Sequence, residues 1–195
     1  GEAWSKTLDA PVRIAPAWHE GRLYCGADDG FAYCLNAKNG KEIWRFSPVK
    51  EKRLIPGNGK MLSLYPCRTG VLVEDGIAYF GMALLPWRES RICAVNAESG
   101  SPEGAGCYVR MRKSVTMEGA LLASPNRLYV PQGRSAPLVF NRSDGKNLGA
   151  MKESGGVFAV LTPEMQLVTG PGSQKEYFVA INDPDGTFDG DDWSW

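Results

Sequence analysis

A short signature returns four times along this chain: a run of apolar residues closed by Asn, with Gly four positions later. Cys34-Leu35-Asn36 is followed by Gly40, Ala94-Val95-Asn96 by Gly100, Val139-Phe140-Asn141 by Gly145, and Ala180-Ile181-Asn182 by Gly186. The copies keep a register of roughly 40–45 residues with one longer interval, a period that belongs to stacked supersecondary units. Each unit must then bury its apolar surface against a neighbour.

Strand signals precede each glycine. Arg22-Leu23-Tyr24-Cys25 and Phe31-Ala32-Tyr33-Cys34-Leu35 flank Ala27-Asp28-Asp29-Gly30, a hairpin turn. Ile77-Ala78-Tyr79-Phe80 pairs in the same way with Ile92-Cys93-Ala94-Val95, and Arg127-Leu128-Tyr129-Val130 with Leu138-Val139-Phe140. The last copy has Gln166-Leu167-Val168 with Tyr177-Phe178-Val179-Ala180-Ile181. A strand leads each pair (residues 12–18, 71–74, 119–123 and 157–161), and another follows the glycine, most clearly Glu42-Ile43-Trp44-Arg45-Phe46. Four short antiparallel strands per repeat, with no helical period anywhere, predict an all-β propeller of about four blades.

The expected organisation is one propeller unit over residues 1–195, whole or partial. Residues 1–5 form the outer strand of a preceding or last blade, because Glu2-Ala3-Trp4 parallels Glu42-Ile43-Trp44. Residues 6–46 are repeat 1, 47–108 repeat 2 with insertions, 109–150 repeat 3, and 151–195 repeat 4 with an acidic tail. Either Trp4 closes a four-bladed ring, or the chain is half of an eight-bladed one; the second is the preferred reading.

The best-kept copy, Cys34-Leu35-Asn36-Ala37-Lys38-Asn39-Gly40-Lys41-Glu42-Ile43-Trp44, resembles the tryptophan-docking motif of the PQQ-like repeat. That repeat builds quinoprotein alcohol dehydrogenases and the BamB-type outer-membrane assembly lipoprotein, both eight-bladed. The resemblance implies that Trp44 lies between blades, that Gly40 takes the turn, and that Asn36, Asn96, Asn141 and Asn182 hydrogen-bond turns ending at Gly40, Gly100, Gly145 and Gly186. Counting four residues on from each glycine puts Gly104, Gly149 and Gly190 where the docking Trp would stand. The resemblance also implies a periplasmic or cell-surface location. The vicinal cysteine pair that marks the dehydrogenases has no counterpart, since no two cysteines are adjacent.

Composition narrows the function. Lys plus Arg and Asp plus Glu are 22 each, which argues against a nucleic-acid partner, and no apolar stretch is long enough for a membrane span. The five cysteines have no metal spacing and are an odd count; buried free thiols or one or two disulfides both remain open. The single histidine, His19, sits before Glu20-Gly21 at a strand end and reads as turn-flanking rather than catalytic. The acidic run from Asp183 to Asp192 could offer oxygen ligands to calcium but lacks EF-hand spacing, and Pro184-Asp185-Gly186 is explained as a turn. Asn141-Arg142-Ser143 fits a glycosylation sequon, yet Asn recurs there in every copy, so the turn reading wins. No metal site and no catalytic residue are assigned.

Charge is unevenly spread even so. The connections between repeats and the loops between second and third strands gather Lys50, Lys52, Arg53, Lys60, Arg88, Arg91, Arg110, Arg112, Lys113, Arg134 and Lys175, against Glu51, Glu89, Glu176, Asp28 and Asp29. Two insertions stand out there, residues 47–63 and 84–90, the latter placing Trp87 beside Arg88. Trp with Arg is the composition of an interface anchor. The expected function is a non-catalytic binding or scaffold module whose basic loop face, with Arg53, Trp87, Arg88, Arg110 and Arg112, meets a protein or an anionic ligand. Expected partners are such a protein, the rest of a larger propeller, or a second copy in a homodimer. The alternative is a quinoprotein-like oxidoreductase (a PQQ-dependent dehydrogenase), or part of one; only then would PQQ and calcium be cofactors.

Overall fold

The computed structural model describes residues 4–51, 53–57, 59–133, 135–151, 155–163, 166–170 and 179–182. Its regular elements are all strands. The first sheet is β1 (Ala17–His19), β2 (Arg22–Gly26), β3 (Ala32–Asn36) and β4 (Glu42–Phe46), side by side in chain order and antiparallel. A hairpin, β5 (Leu54–Gly57) with β6 (Lys60–Ser63), fills the insertion that follows. The second sheet is β7 (Leu72–Glu74), β8 (Ile77–Met82), β9 (Glu89–Asn96) and β10 (Tyr108–Lys113). The third is β11 (Leu122–Ala123), β12 (Arg127–Gln132), β13 (Ser135–Asn141) and β14 (Asn147–Ala150). The fourth sheet has three strands among the described residues, β15 (Gly155–Leu161), β16 (Gln166–Gly170) and β17 (Val179–Asn182).

The first three leading strands are shorter than the sequence suggests, and the fourth, β15, is longer. In the first sheet only Ala17–His19 pairs regularly, while Val12 makes a single bridge to Ala27. The turns leaving β1 and β7 are two-residue hairpins with both central residues at positive φ: Glu20 (47°) with Gly21 (75°), and Asp75 (48°) with Gly76 (73°). Their twist suits adjacent antiparallel strands. His19 therefore flanks a turn, with Glu20 3.9 Å from its Nε2.

Strand alternation gives every sheet two apolar faces. Tyr24, Cys34 and Trp44 of the first sheet pack against Ala78, Phe80, Cys93 and Val95 of the second. Tyr79, Ile92, Ala94 and Tyr108 of the second pack against Leu128, Val130, Leu138 and Phe140 of the third. Tyr129 and Val139 of the third then meet Leu167, Ala159 and Leu161 of the fourth. Each sheet thus has a leading face toward the next and a trailing face toward the one before. Cys34, Cys67 and Cys93 lie in the first of these layers, Cys25 is buried on the outer face of the first sheet, and all five cysteines, including half-buried Cys107, are free thiols.

The Asn–Gly signature folds identically in three copies. The Gly40, Gly100 and Gly145 amides donate to the carbonyls of Asn36, Asn96 and Asn141 at 2.8, 2.8 and 2.9 Å. The three Asn side chains accept from Lys38 N, from Glu98 N and Ser99 N, and from Ser143 N at 2.9–3.0 Å. Asn141 is thereby committed to its turn. In the fourth copy Asn182 pairs with Gln166 at the end of β17, and Gly186 lies outside the described residues, as does the acidic run.

An aromatic ring rests on each of these glycines. Trp44 covers Gly100, so closely that an added Cβ would lie 2.7 Å from Cδ2, and Gly100 also holds φ at +72°. The Trp44 indole donates to Ala97 O at 3.0 Å. Trp4 repeats the arrangement over Gly40, donating to Ala37 O at 2.9 Å. Over Gly145 the ring is Tyr108, whose Cδ2 would stand 2.6 Å from an added Cβ.

Here a sequence expectation is corrected. The docking position of the second copy is Tyr108, not Gly104. Tyr108 pairs with Ala94 as Trp44 pairs with Cys34, because the turn after Gly100 is longer than the turn after Gly40. Counting four residues from each glycine misses that insertion. At Gly149, opposite Val139, the count does hold. Tyr108→Ala should cost about 3–4 kcal/mol in urea melts, as should Trp44→Ala, from loss of a buried aromatic. Tyr108→Phe keeps the ring over Gly145 and should remain within about 1 kcal/mol of the parent.

Candidate functional site

Propeller sheets present their tight turns at one end and their longer connections at the other. At the connection end, hairpin β5–β6, the β8–β9 loop and the segment leaving β10 meet. A cleft of about 490 Å³ opens between them, lined by Arg53, Tyr65, Trp87, Arg88, Glu89, Lys113 and Ser114. The β8–β9 loop turns through a backbone hydrogen bond from Arg88 N to Leu85 O at 3.0 Å, which leaves Trp87 74% exposed. Lys113 closes β10 directly opposite Glu89 at the start of β9.

The cleft's charges are only partly compensated. Arg53 pairs with Glu51 at 3.1 Å, and Arg91 pairs with Glu89 at 3.1 Å while lying over the Tyr65 ring, 5.0 Å from its centre. Arg88 and Lys113 have no ion pair with any described residue. A second recess of about 380 Å³ shares Arg53, Tyr65 and Glu89 and adds Lys50 and Arg91. Cations therefore outnumber carboxylates around an exposed indole, which favours an anionic group there.

Of the five candidate binding residues, the structure brings Arg53, Trp87 and Arg88 together. Arg110 and Arg112 lie on β10 instead. Arg110 donates to Asp144 O at 2.9 Å and covers the Tyr108 ring, so it packs against the Gly145 turn of the third sheet. Arg112 is half-buried opposite Ser90. Lys52, Arg134, Lys175 and Glu176 lie outside the described residues.

A second constellation at this end was not legible as a motif. Asp28, in the β2–β3 turn, is fully buried, and both its oxygens are taken by arginines from two successive connections. Arg13 reaches Oδ2 at 2.7 Å through Nε and at 2.6 Å through a terminal nitrogen. Arg68 reaches Oδ1 at 3.0 Å and Oδ2 at 3.3 Å. The neighbouring Asp29 accepts from the Tyr33 hydroxyl at 2.5 Å and from Phe31 N at 3.1 Å. Asp28 and Asp29, which the sequence presents as acidic offsets on this face, are thus withdrawn into the protein. The available signal was positional: Arg13, Arg68 and Glu118 each stand nine residues before the first residue of a second strand, at Arg22, Ile77 and Arg127.

Burial works against the charge of Asp28, but hydrogen bonds from Arg13 and Arg68, and then their charges, outweigh it and hold the carboxyl below the usual aspartate range. Burial pushes the Cys25 thiol up to about 11 and Cys67 up to about 12. Cys34, Cys93 and Cys107 are also raised, again chiefly by burial. None of these thiols is an activated nucleophile.

With this geometry in view, the comparisons with known proteins decide the family. The family profile of the outer membrane protein assembly factor BamB matches residues 1–187. The chain belongs to the BamB-type PQQ-like propeller family. A tetrathionate hydrolase of Acidithiobacillus ferrooxidans is 28% identical over 145 residues, which are 69% of this chain and 28% of that protein. BamB from Moraxella catarrhalis superposes with a TM-score of 0.58 at 14% identity, over 92% of this chain and 48% of that one. The quinohemoprotein alcohol dehydrogenase of Comamonas testosteroni gives 0.64 at 16% identity, over 100% of this chain and 36% of that one. This PQQ-like chain spans less than half the length of each.

The PQQ-like fold raises the question of a quinone with calcium. Among the described residues no three His, Cys, Asp or Glu side chains gather where they could hold a metal ion. Asp28, the most deeply set carboxylate at this end, has both oxygens engaged by guanidinium groups. These residues do not fit a calcium-bound quinone.

Two measurements check the site. Because the folded-state pKa of Asp28 lies below its unfolded value, its stabilisation is complete above the unfolded range, about pH 4, and is lost as pH falls through the folded value. Asp28→Asn should cost about 3 kcal/mol at pH 7 and flatten the acid limb of stability, read from urea melts between pH 7 and pH 2. A thiol-alkylating reagent at pH 7.5 should modify Cys107 first in the native protein. The four buried cysteines should react only in denaturant, as read by intact mass.

Proposed function

We propose that this chain is a non-catalytic binding segment of a BamB-type propeller, whose connection-end cleft holds an acidic protein segment. The observation that carries this reading is the convergence of Arg53, Arg88 and Lys113 on an exposed Trp87, with two of the three cations lacking an ion pair among the described residues. A rigid indole supplies contact area at small entropic cost, and the flanking cations select carboxylates over neutral surface. The sheets beneath act as scaffold. The Asp28 cluster supports this role, since it ties the connection before β1 to the connection before β7.

The test uses a fluorescent peptide that alternates Asp and Glu with Leu and Phe, titrated into the intact chain. Saturable binding that weakens with salt is expected, and Trp87→Ala/Arg88→Ala should weaken it by tenfold or more, on the scale of roughly 1.4 kcal/mol per factor of ten. Binding unchanged in the double variant would remove these anchors from the reading.

One comparison favours a second reading. The 28% identity to tetrathionate hydrolase suggests a segment of a larger enzyme in which the same cations meet a sulfur oxyanion. Titration of the chain with tetrathionate, followed by calorimetry, separates the two readings. Binding of the dianion that competes with the peptide favours the enzyme segment. Peptide binding without it favours the protein partner. The quinoprotein dehydrogenase alternative has likeness of fold alone on its side.

A further inference from the structure

The trailing face of the first sheet carries the residue positions that are buried between sheets elsewhere. Leu23, Cys25, Tyr33 and Leu35 correspond to Ala78, Phe80, Cys93 and Val95 of the second sheet and to Leu128, Val130, Leu138 and Phe140 of the third. Those eight are core between neighbours. On the first sheet Cys25, Tyr33 and Leu35 are buried beneath Trp4, Leu8 and Phe31, Leu23 is only partly buried, and the segment from Trp4 to Pro16 lines a groove of about 660 Å³ that reaches Leu23, Cys25 and Leu35. Trp18 shares this face. It pairs with Leu23 as Val73 pairs with Ala78 and Ala123 with Leu128, yet Val73 and Ala123 pack into cores while Trp18 is 68% exposed.

The leading face of the fourth sheet is its counterpart. Val160 and Val168 pair with each other on that face, where the first sheet has Ala17 and Tyr24, and Val160 is 42% exposed. Side-chain bulk is exchanged between the two surfaces. At the inner junctions a leading tyrosine (Tyr24, Tyr79 or Tyr129) faces an aliphatic or small residue on the next first strand (Val73, Ala123 or Leu161). At the outer faces the leading position holds the smaller Val168, and the trailing position holds the large Trp18. Each surface supplies what the other lacks.

Trp4 adds an independent sign. It lies on Gly40 as Trp44 lies on Gly100, in the place of the aromatic that the outer strand of a preceding sheet provides. The fourth sheet, meanwhile, ends at β17 among the described residues.

We propose that two copies of this chain associate head to tail, the Val160–Val168 face of each seating on the Trp18–Leu23 face of the other, to close one ring. A heterologous contact of this kind forms a closed assembly when the rotation per copy returns on itself. Four sheets per copy supply half of an eight-sheet ring. The chain's span of 48% of the Moraxella BamB chain agrees with that count.

Light scattering on a sizing column tests the proposal with the intact chain at about 50 µM, a concentration at which a contact of micromolar affinity is mostly formed. The expected mass is twice 21.3 kDa. Trp18→Asp and Val160→Asp should each give the single-chain mass with an unchanged far-ultraviolet circular dichroism spectrum, because both side chains are exposed in one copy; the thermal midpoint should fall toward one concentration-independent value as the association is lost. Mixing the two variants should restore a dimer, since one intact junction then remains. Trp87→Ala/Arg88→Ala should leave the mass doubled, which separates this test from the cleft. A single-chain mass for the parent protein overturns the proposal. So does a dimer that survives both Asp substitutions, or one abolished by the cleft variant.

Discussion

Everything in this molecule hangs on an aromatic ring seated on a glycine across a sheet boundary. Trp4 on Gly40, Trp44 on Gly100 and Tyr108 on Gly145 repeat the contact at three successive places. A four-stranded sheet with two apolar faces cannot be stable alone, because either face left in water forfeits burial free energy. The ring-on-glycine contact fixes how far and at what angle the next sheet stands, and the layers of Tyr, Leu, Phe and Val then interdigitate. The glycine must lack a Cβ for the ring to come so close. The Asn–Gly turn holds that bare backbone in position with its own hydrogen bonds. Stability of such an array is a sum of sheets and junctions between neighbours, so each sheet depends on the next.

The two ends of the sheets are held differently. At the tight-turn end, Arg22 reaches Glu98 at 3.3 Å, and Arg142 reaches Asp75 at 2.5 Å and Tyr79 at 3.3 Å, each pair crossing from one sheet to its neighbour. At the connection end, Arg13 and Arg68 share the buried Asp28. That end also carries the hairpin β5–β6 and the Trp87 loop, which the sheets do not require. Connections longer than closure demands, set on a rigid base, are where a propeller can vary its surface without disturbing its cores. The basic cleft occupies such a place.

Much of the fold was legible in the chain because its determinants are local. Alternating apolar residues, the Asp28–Gly30 turn and the recurring Asn–Gly pair are short-range signals, and they located strands, turns and repeats. The docking aromatic was legible where spacing was kept, at Trp44, and misread at Gly104, where a longer turn moved the role to Tyr108. Pattern counting assumes constant spacing; strand register does not. Arg53, Trp87 and Arg88 were legible as a face because two insertions shared one end of the repeat. Arg110 shows the limit of that reasoning, since β10 directs it across to the Asp144 carbonyl of the third sheet.

By itself the sequence determined the all-β repeat, the turn chemistry and the family, since each rests on residue types within a few positions of one another. Tertiary structure alone decided which charges remain available. Asp28 and Asp29 count as surface carboxylates in any sum over loops, yet one is locked between two arginines and the other against Tyr33. Arg88 and Lys113 carry no such pairing among the described residues. Whether a charge is spent inside the protein or offered to a partner depends on distances between residues 15 to 40 positions apart, as in Arg13–Asp28 and Arg68–Asp28. Only the packing of one sheet on the next sets those distances.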